Sequence, residues 1–563
     1  MVRNFLTAIG KEVKGMHEAA YLLAGFALAS QVLALVRDRL LAGQFGAGHT
    51  LDLYYAAFRI PDFLFATVAS LLSLYALLPV LSRLEQRDSR QAISFLRLTL
   101  LVFFVGMAAI AAVLFFLAPT LVSLIAPGIA AEPASRMQLI LLVQILLLQP
   151  IFLGASNIVA ALTQLRNRFF LYAVSPLLYN LGIIAGILWL YPSIGIAGLG
   201  WGVVAGAVMH LTLQLPFFFA EKSAPLQKGE FTPAFIEVLK LSIPRTLALA
   251  SGQFSLLALV ALASLFATGS IAIFTFAFNL QSVPLAIIGV SYSVAAFPTL
   301  ARFHAAGNRA EFIRHIEEAL RHMLFWSIPA IALVVVLRAQ IVRVILGSGQ
   351  FDWSATRLTA AALALFIISL AAQSVTLLIA RAYYAAGKTR TPLILGMLAL
   401  VVTVASSGLL VFLFHASSDF RYFLEALMRV ADVAGTTVLM LALGYTVGAT
   451  VQCISGMVCF ARDFGLSYGY LKKLIFQSVS SSIIGGAAAY VALTFAGKLV
   501  DINTVAGIVA QGAFGGLIGV ATIIGMLMLL KNEELKEAMA ALRKRRKDTP
   551  KVAVEPTDVS SSF

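Results

Sequence analysis

Residues 31–83 read QVLALVRDRLLAGQFGAGHTLDLYYAAFRIPDFLFATVASLLSLYALLPVLSR and decide the fold. The stretch contains two apolar segments joined by a glycine-rich turn, with five charged residues among the apolar ones: Arg37, Asp38, Arg39, Asp52 and Arg59. Each arginine or aspartate near the middle of a membrane helix costs roughly 2.5–3.5 kcal/mol. We therefore expect these side chains to face a wet or protein-lined cavity. An arginine there suits a diphosphate or a carboxylate, because its rigid fork of donors matches those oxygens.

The composition places the chain among membrane proteins. Of its 563 residues, 60% are hydrophobic and 12% are charged, whereas soluble proteins carry about 25% charged residues. The formal net charge of +15 could indicate a nucleic-acid partner, but the lysines and arginines lie in short loops and near the C-terminus. We interpret this pattern as a membrane-topology signal and predict no nucleic-acid partner.

Apolar segments long enough to cross a bilayer, roughly 20 residues each, recur along the chain. They lie near residues 19–41, 53–81, 98–125, 136–163, 169–191, 196–220, 234–266, 271–300, 313–346, 356–386, 391–415, 430–461, 472–497 and 503–530. They lack the strict alternation of transmembrane β-strands. The sequence therefore predicts an all-α, polytopic membrane protein with about 14 transmembrane helices.

The loop charges predict the orientation. Alternate breaks between the segments, starting with the N-terminal lead, hold most of the loop lysines and arginines, and the intervening breaks hold only Arg136, Arg421, Arg429 and Lys498. By the positive-inside rule, both termini are cytoplasmic. We expect the basic run 543–547 to contact anionic lipids and the chain beyond Pro550 to be disordered. A cleaved signal peptide ending near Ala29 is the less favoured alternative, because the apolar run continues into Arg37.

An internal repeat divides the chain. The motif around Pro79 recurs around Pro298, and the motif around Gly128 recurs around Gly347, at the same offset of 219 residues (79 to 298 and 128 to 347). Six helices per repeat give two lobes of equal orientation, related by an axis along the membrane normal. The predicted domains are an N-terminal lobe (1–220) and a C-terminal lobe in two parts (221–416 and 417–463). Two additional helices (464–531) and a basic tail (532–563) follow.

Several motifs carry a resemblance to a known family. They include Arg37-Asp38, Phe45–Gly48, Asp52, Ala57–Pro61, Ser175–Ile184, Gly202–Ala207, Gly349–Asp352 and Tyr383–Pro392. Through them nearly the whole chain resembles the lipid II flippase family MurJ, also called MviN, within the superfamily of multidrug, oligosaccharidyl-lipid and polysaccharide exporters. The resemblance implies a multi-pass transporter of the bacterial cytoplasmic membrane rather than an enzyme, with no cofactor. Its implied substrate is the undecaprenyl-diphosphate-linked peptidoglycan precursor lipid II, moved from the cytoplasmic to the periplasmic leaflet for cell wall biogenesis.

The resemblance also implies alternating access of two six-helix lobes around a cationic cavity, with an apolar groove for the lipid tail at residues 472–530. Cell-wall synthesis proteins are possible partners. Where the family usually has an Asp-Arg pair in the eighth helix, this chain has Phe278 and Asn279. We therefore expect Arg245, after a proline near the inner end of the seventh helix, to supply positive charge from the second lobe.

The candidate substrate-binding residues are Arg37, Asp52, Arg59, Arg245 and Asn279, with Asp38, Arg39 and Arg381 as further possibilities. Simpler interpretations remain open for some of them: Arg37 and Arg39 can extend to water at the outer end of the first helix, Arg245 can extend to cytoplasmic headgroups, and Asp52 can cap the second helix. Gly202 and Gly206 are expected to permit close helix packing, as are the glycines at 512, 515, 516 and 519.

Three other functions remain as alternatives. One is a flippase for another polyprenyl-linked glycan. The second is a cation-coupled drug exporter, which favours acidic residues inside its helices. The third is a membrane scaffold that recruits wall-synthesis enzymes, which needs larger loops than these and no buried charge.

Overall fold

The computed structural model is built from helices throughout residues 16–72, 74–166, 168–221, 223, 231–501 and 504–547, which are the residues that the structure describes. Its membrane helices are α1 (Met16–Phe45), α2 (His49–Arg87), α3 (Ser89–Ile125), α4 (Pro133–Leu165), α5 (Phe170–Ile194), α6 (Ile196–Ala220), α7 (Phe231–Ala263), α8 (Ser270–Ala305), α9 (Arg309–Leu346), α10 (Trp353–Ile367 and Leu370–Ala385), α11 (Arg390–Ala416), α12 (Thr436–Phe464), α13 (Leu471–Ala496) and α14 (Val505–Leu529). Further helices are a short helix (Pro127–Ala130), an outer helix (Ser418–Met428) and a terminal helix (Glu533–Lys547). The predicted tail beyond Pro550 lies outside the described residues.

The all-α membrane fold is confirmed. By length and apolar composition, eleven of the described helices could span a membrane, or twelve if the bent pair of α10 is one span. The other two predicted spans coincide with α1 and α7, so the arrangement is consistent with about 14 spans. We call α1–α6 the N-terminal half and α7–α12 the C-terminal half. The outer end is the end that holds the loop at Gly46, following the orientation predicted from the loop charges.

Corresponding helices of the two halves are broken at corresponding places. Helix α4 begins at residue 133 and ends at residue 165, and α10 begins at 353 and ends at 385, which is 220 residues later at both ends. Helix α4 is interrupted at residues 147–148, and α10 bends by 44° between Ile367 and Leu370. The repeat seen in the sequence is therefore also a repeat of helix geometry.

Helix α8 contains a π-helical turn at Ala286–Val290, which begins two residues after Pro284. Proline removes a backbone donor from the helix, and a π turn accommodates one extra residue. Helix α2 is broken at Phe58 and again near Val68, so that Arg59 lies in the first turn of a new helical piece.

Glycines bring helices into close contact, as predicted. A Cβ atom built on Gly182 of α5 would lie 2.3 Å from the Cα of Gly206 in α6, and one on Gly202 would lie 2.5 Å from the Cα of Gly186. Helix α14 packs against α9 in the same way, since a Cβ on Gly519 would lie 2.7 Å from a methyl carbon of Leu333. Packing of this kind replaces the hydrophobic driving force that is missing between helices in lipid.

The twelfth helix begins later than predicted. The apolar run starts near residue 430, but the helix starts at Thr436, after Gly435 at φ 82°. The preceding outer helix was not predicted, because its eleven residues are too short for a span.

Candidate functional site

A polar network links α1 to both halves of the molecule. Arg37 donates to the Asp38 carboxylate through Nε at 2.9 Å and Nη2 at 2.7 Å, and through Nη1 to the Asn180 side-chain oxygen at 3.0 Å. Asn279 of α8 donates to the other Asp38 oxygen at 3.2 Å. The Asp38 side chain is 6% exposed and that of Arg37 is 21% exposed. The structure thus brings together three of the predicted site residues, and it connects the two halves through the Asp38 carboxylate.

Asp52 caps a helix in the opposite half. Its carboxylate accepts hydrogen bonds from the backbone N–H groups of Gly269, at 2.5 Å, and Ala272, at 2.9 Å. These groups lie at the N-terminus of α8, where amides lack partners within the helix and a negative charge is favoured. Capping of the second helix by Asp52 was therefore wrong, because α2 has Gly48 at its N-cap with no side-chain hydrogen bond.

Arg39 binds the end of α9 at the same outer end. Its Nη1 donates to the carbonyls of Val344, at 2.5 Å, and Ile345, at 3.4 Å. A cation is favoured at this place because the last carbonyls of a helix carry partial negative charge. Nearby, the backbone N–H of Gln350 donates to the Gly43 carbonyl at 2.8 Å. Arg39, Asp52 and these backbone contacts hold the two halves together at the outer end.

Arg59 makes fewer of the described hydrogen bonds with protein groups than Arg37 or Arg39. Among the contacts that the structure describes, its guanidinium makes one hydrogen bond, from Nε to the Tyr55 carbonyl at 3.3 Å. Its side chain is half-buried, and Asp62 lies one turn further along α2, near enough to interact electrostatically. The Tyr55 hydroxyl is buried without a described partner. Arg59 therefore has donors available for an anion that enters between the halves.

The two halves also meet through α2 and α7, near the middle of these helices and toward their inner ends. The Ser70 and Thr246 hydroxyls are 2.9 Å apart, and Arg83 donates to Glu237 at 2.5 Å. The Arg83 and Glu237 side chains are 49% and 42% exposed. This contact is therefore open to water, unlike the buried capping of α8 by Asp52, which is 5% exposed.

Two other predicted site residues lie on helices of the C-terminal half. Arg245 lies in α7, but its side chain is outside the described part of the structure. Arg381 is half-buried on the second segment of α10. The structure adds Asn180 and Asp62, which sequence reasoning missed, although Asn180 stands in one of the quoted motifs and Asp62 follows directly after another.

Comparison with known proteins decides the family. The sequence profile described as "Lipid II flippase MurJ" matches residues 41–510 of this chain. The chain belongs to the lipid II flippase MurJ family. A lipid II flippase MurJ of Burkholderia cenocepacia is 25% identical over 402 residues, covering 70% of this chain and 78% of that one. A probable lipid II flippase MurJ of Thermotoga maritima is 25% identical over 520 residues, covering 91% and 96%.

Solved structures show that the MurJ fold extends over the chain. A structure described as "Lipid II flippase MurJ, inward closed conformation" superposes with a TM-score of 0.71 at 19% identity, covering 91% of this chain and 100% of that one. An inward-facing MATE multidrug transporter of the MOP superfamily has a TM-score of 0.63 at 13% identity, covering 77% and 94%. The MurJ-family chain thus shares its architecture with the wider superfamily.

Proposed function

We propose that this protein is a lipid II flippase, which moves the undecaprenyl-diphosphate-linked peptidoglycan precursor from the cytoplasmic to the periplasmic leaflet. The observation that carries this proposal is the MurJ family match over residues 41–510. The charged network between two apolar halves supports it, because a diphosphate crossing a membrane needs a polar environment inside the protein. This activity is transport and requires no covalent chemistry.

We assign the phosphate-binding role first to Arg59 and then to Arg37. Arg59 keeps most of its donors for a ligand, whereas Arg37 already donates to Asp38 and Asn180. A diphosphate that reaches Arg37 competes with Asp38, and Asp38 also holds Asn279. Binding at Arg37 therefore loosens a contact between the two halves, which couples the substrate to their relative movement. Arg245 is the proposed source of positive charge from the C-terminal half.

The two ends of the molecule differ in how firmly they are closed. The outer end is held by buried hydrogen bonds to helix termini, including those of Asp52. The inner end is held in part by the exposed pair of Arg83 and Glu237, and such pairs contribute roughly 0–1 kcal/mol. Alternating access then begins by opening the inner end, where the precursor is made available in the cytoplasmic leaflet.

The proposed orientation places both termini in the cytoplasm, with residues 1–220 and 221–463 as the two lobes and the basic tail on anionic lipids. A cysteine at His49 should react with a membrane-impermeant maleimide added outside the cell, and a cysteine at Arg87 should not. The reverse pattern contradicts the orientation. Cell-wall synthesis enzymes are the proposed protein partners.

The direct test is rescue of bacteria depleted of their own lipid II flippase. Expression of this protein should restore growth and cell shape, and inner-membrane vesicles containing it should move lipid II to the outer leaflet. The matched control is the double variant Arg37→Ala and Arg59→Ala at equal membrane abundance, which should fail in both assays. Failure of the unaltered protein in both assays, with correct membrane insertion, contradicts the proposal and directs the search to another polyprenyl-linked glycan.

A further inference from the structure

A surface cavity of about 490 Å³ lies at the inner end of the N-terminal half, away from the network between the halves. Three connections of the chain form its walls: the junction of α2 and α3, the connection between α4 and α5, and the end of α6. Its lining side chains include Ser89, Arg90, Arg168 and Phe217. The volume lies within the range of roughly 300–1,000 Å³ that is usual for small-ligand sites.

Arg168 brings a positive charge with an unused donor to this cavity. Its guanidinium carbon lies 4.0 Å from the centre of the Phe217 ring, and this cation–π contact holds the side chain in place. Its Nε is buried without a hydrogen-bond partner among the described residues. A buried donor of this kind costs roughly 1–3 kcal/mol unless another group accepts from it. Arg168 therefore favours an anion in the cavity.

Arg90 brings a second positive charge to the same cavity. It is an exposed residue in the first turn of α3, and its guanidinium has no carboxylate partner among the ion pairs of the described side chains. The N-terminus of α3 adds a partial positive charge at this place. An anion between Arg90 and Arg168 is therefore attracted from both sides.

The two acidic residues that line the cavity already have partners. Asp88 caps α3, because its side chain accepts a hydrogen bond of 2.8 Å from the backbone N–H of Arg90. The Glu221 carboxylate lies 3.6 Å from Nη2 of Arg166. The same Nη2 donates to the Ser89 hydroxyl oxygen at 2.6 Å. The Ser89 hydroxyl keeps its own hydrogen, which it can donate to a ligand.

The corresponding place in the C-terminal half is closed by protein groups. There, Lys388 of the connection between α10 and α11 lies 4.9 Å from the centre of the Phe464 ring at the end of α12. Its ammonium pairs with Asp463 at 3.2 Å. Phe464 is 7% exposed, and its carbonyl accepts from Arg309 in the first turn of α9 at 2.9 Å. The same three connections therefore engage their cations with protein groups in one half and leave them available in the other.

We propose that this cavity binds a phosphate group at the inner end of the molecule, with Arg90, Arg168 and Ser89 as its donors. Two guanidinium forks and a hydroxyl suit the several oxygens of a phosphate. The headgroup of an anionic lipid and a soluble organic phosphate share this chemistry. The site lies within the N-terminal half and apart from its boundary with the other half, so its test does not depend on transport.

Binding to the full-length protein in detergent tests the site with three probes. Native mass spectrometry measures the binding of phosphatidylglycerol and diacylglycerol, and isothermal titration calorimetry measures that of glycerol 3-phosphate. Arg90→Gln and Arg168→Gln should each weaken the binding of a phosphate probe about tenfold or more, as expected for a lost charge-assisted hydrogen bond. Diacylglycerol, which lacks the phosphate, should bind weakly and to the same extent in all variants.

Arg302→Gln is the matched control. Arg302 is an exposed arginine at the inner end of α8, and its guanidinium carbon also lies over an aromatic ring, 5.5 Å from the centre of Phe303. It does not line the cavity, so its replacement should leave phosphate binding unchanged. The proposal is overturned if neither cavity variant weakens either phosphate probe, or if Arg302→Gln weakens binding as much as they do.

The two phosphate probes separate the sources. Tighter binding of phosphatidylglycerol than of glycerol 3-phosphate identifies a lipid headgroup as the ligand, and equal or tighter binding of glycerol 3-phosphate identifies a soluble phosphate. If the glutamine variants fail to fold, Ala220→Glu keeps the test open, because Ala220 is an exposed residue of the cavity wall. The added carboxylate should compete for the arginines and weaken phosphate binding. Wild-type affinity in Ala220→Glu overturns the proposal.

Discussion

The Asp52 carboxylate of α2 accepts a hydrogen bond of 2.5 Å from the backbone N–H of Gly269, across the boundary between the two halves. A second bond, from Ala272, completes the cap of α8. Closing the outer end and capping α8 are therefore the same event. When the halves separate there, the helix loses its cap and the carboxylate loses its partners. Water or substrate must then supply new hydrogen bonds to these groups.

Replacing Asp52 by alanine should destabilise the closed outer end. Loss of an N-cap side chain typically costs about 0.5–2 kcal/mol, so we expect a lower unfolding temperature for Asp52→Ala and a smaller change for Asp52→Asn, which keeps one acceptor. Asp88→Ala is the control. Asp88 caps α3 within the N-terminal half, because its side chain accepts a hydrogen bond of 2.8 Å from the backbone N–H of Arg90. Both alanine variants should lower stability, but only Asp52→Ala should alter lipid II translocation. Equal translocation in the two contradicts a role for Asp52 between the halves.

A disulfide between residues 43 and 348 should lock the outer end. A Cβ built on Gly43 would lie 3.5 Å from the Cβ of Ser348, within the range of about 3.5–4.5 Å that disulfides require. The variant Gly43→Cys with Ser348→Cys should form the bond under oxidation and stop lipid II translocation in vesicles. Reductant should restore it, and each single cysteine variant should be insensitive to oxidant. Continued transport by the fully oxidised protein means that the outer end need not open.

Transport should require the guanidinium group of Arg59 and not only its positive charge. Arg59→Ala should abolish transport, and Arg59→Lys should recover only part of it, because lysine lacks the bidentate fork. Arg37→Ala should also lower thermal stability, since it leaves Asp38 buried with one fewer partner. Lipid II translocation and unfolding temperature measured together distinguish these effects. Wild-type transport by Arg59→Ala rules out phosphate binding there.

The C-terminal half should tolerate a relocation of its positive charge. Arg245→Ala is expected to reduce transport. Adding Asn279→Arg in that background should restore part of it, because the new guanidinium begins beside Asp38, which Asn279 now contacts at 3.2 Å. Translocation of fluorescent lipid II in vesicles measures both steps. Full activity of Arg245→Ala means that the C-terminal half contributes to substrate binding by another route.

The positions of the helices followed from the sequence because lipid imposes a simple requirement, about 20 apolar residues per span. The costs of buried charge likewise predicted that Arg37 and Asp38 lie inside the protein. Their partners could not be predicted in the same way. Asp52 is 217 residues from Gly269, and a contact at that separation depends on how the two halves pack. Local rules favoured a cap on the helix nearest in sequence, and tertiary packing supplied a different helix.

The π turn in α8 rotates the side chains that follow it about the helix axis, relative to those that precede it. One extra residue turns everything beyond Val290 by about 100° relative to an uninterrupted helix. Asn279, before the turn, faces Asp38 of the N-terminal half, while the segment beyond it packs on α9 and α10 of its own half. The two segments of α8 can therefore change their relative angle at the π turn, while the outer segment keeps its contacts with Asp38 and with α10.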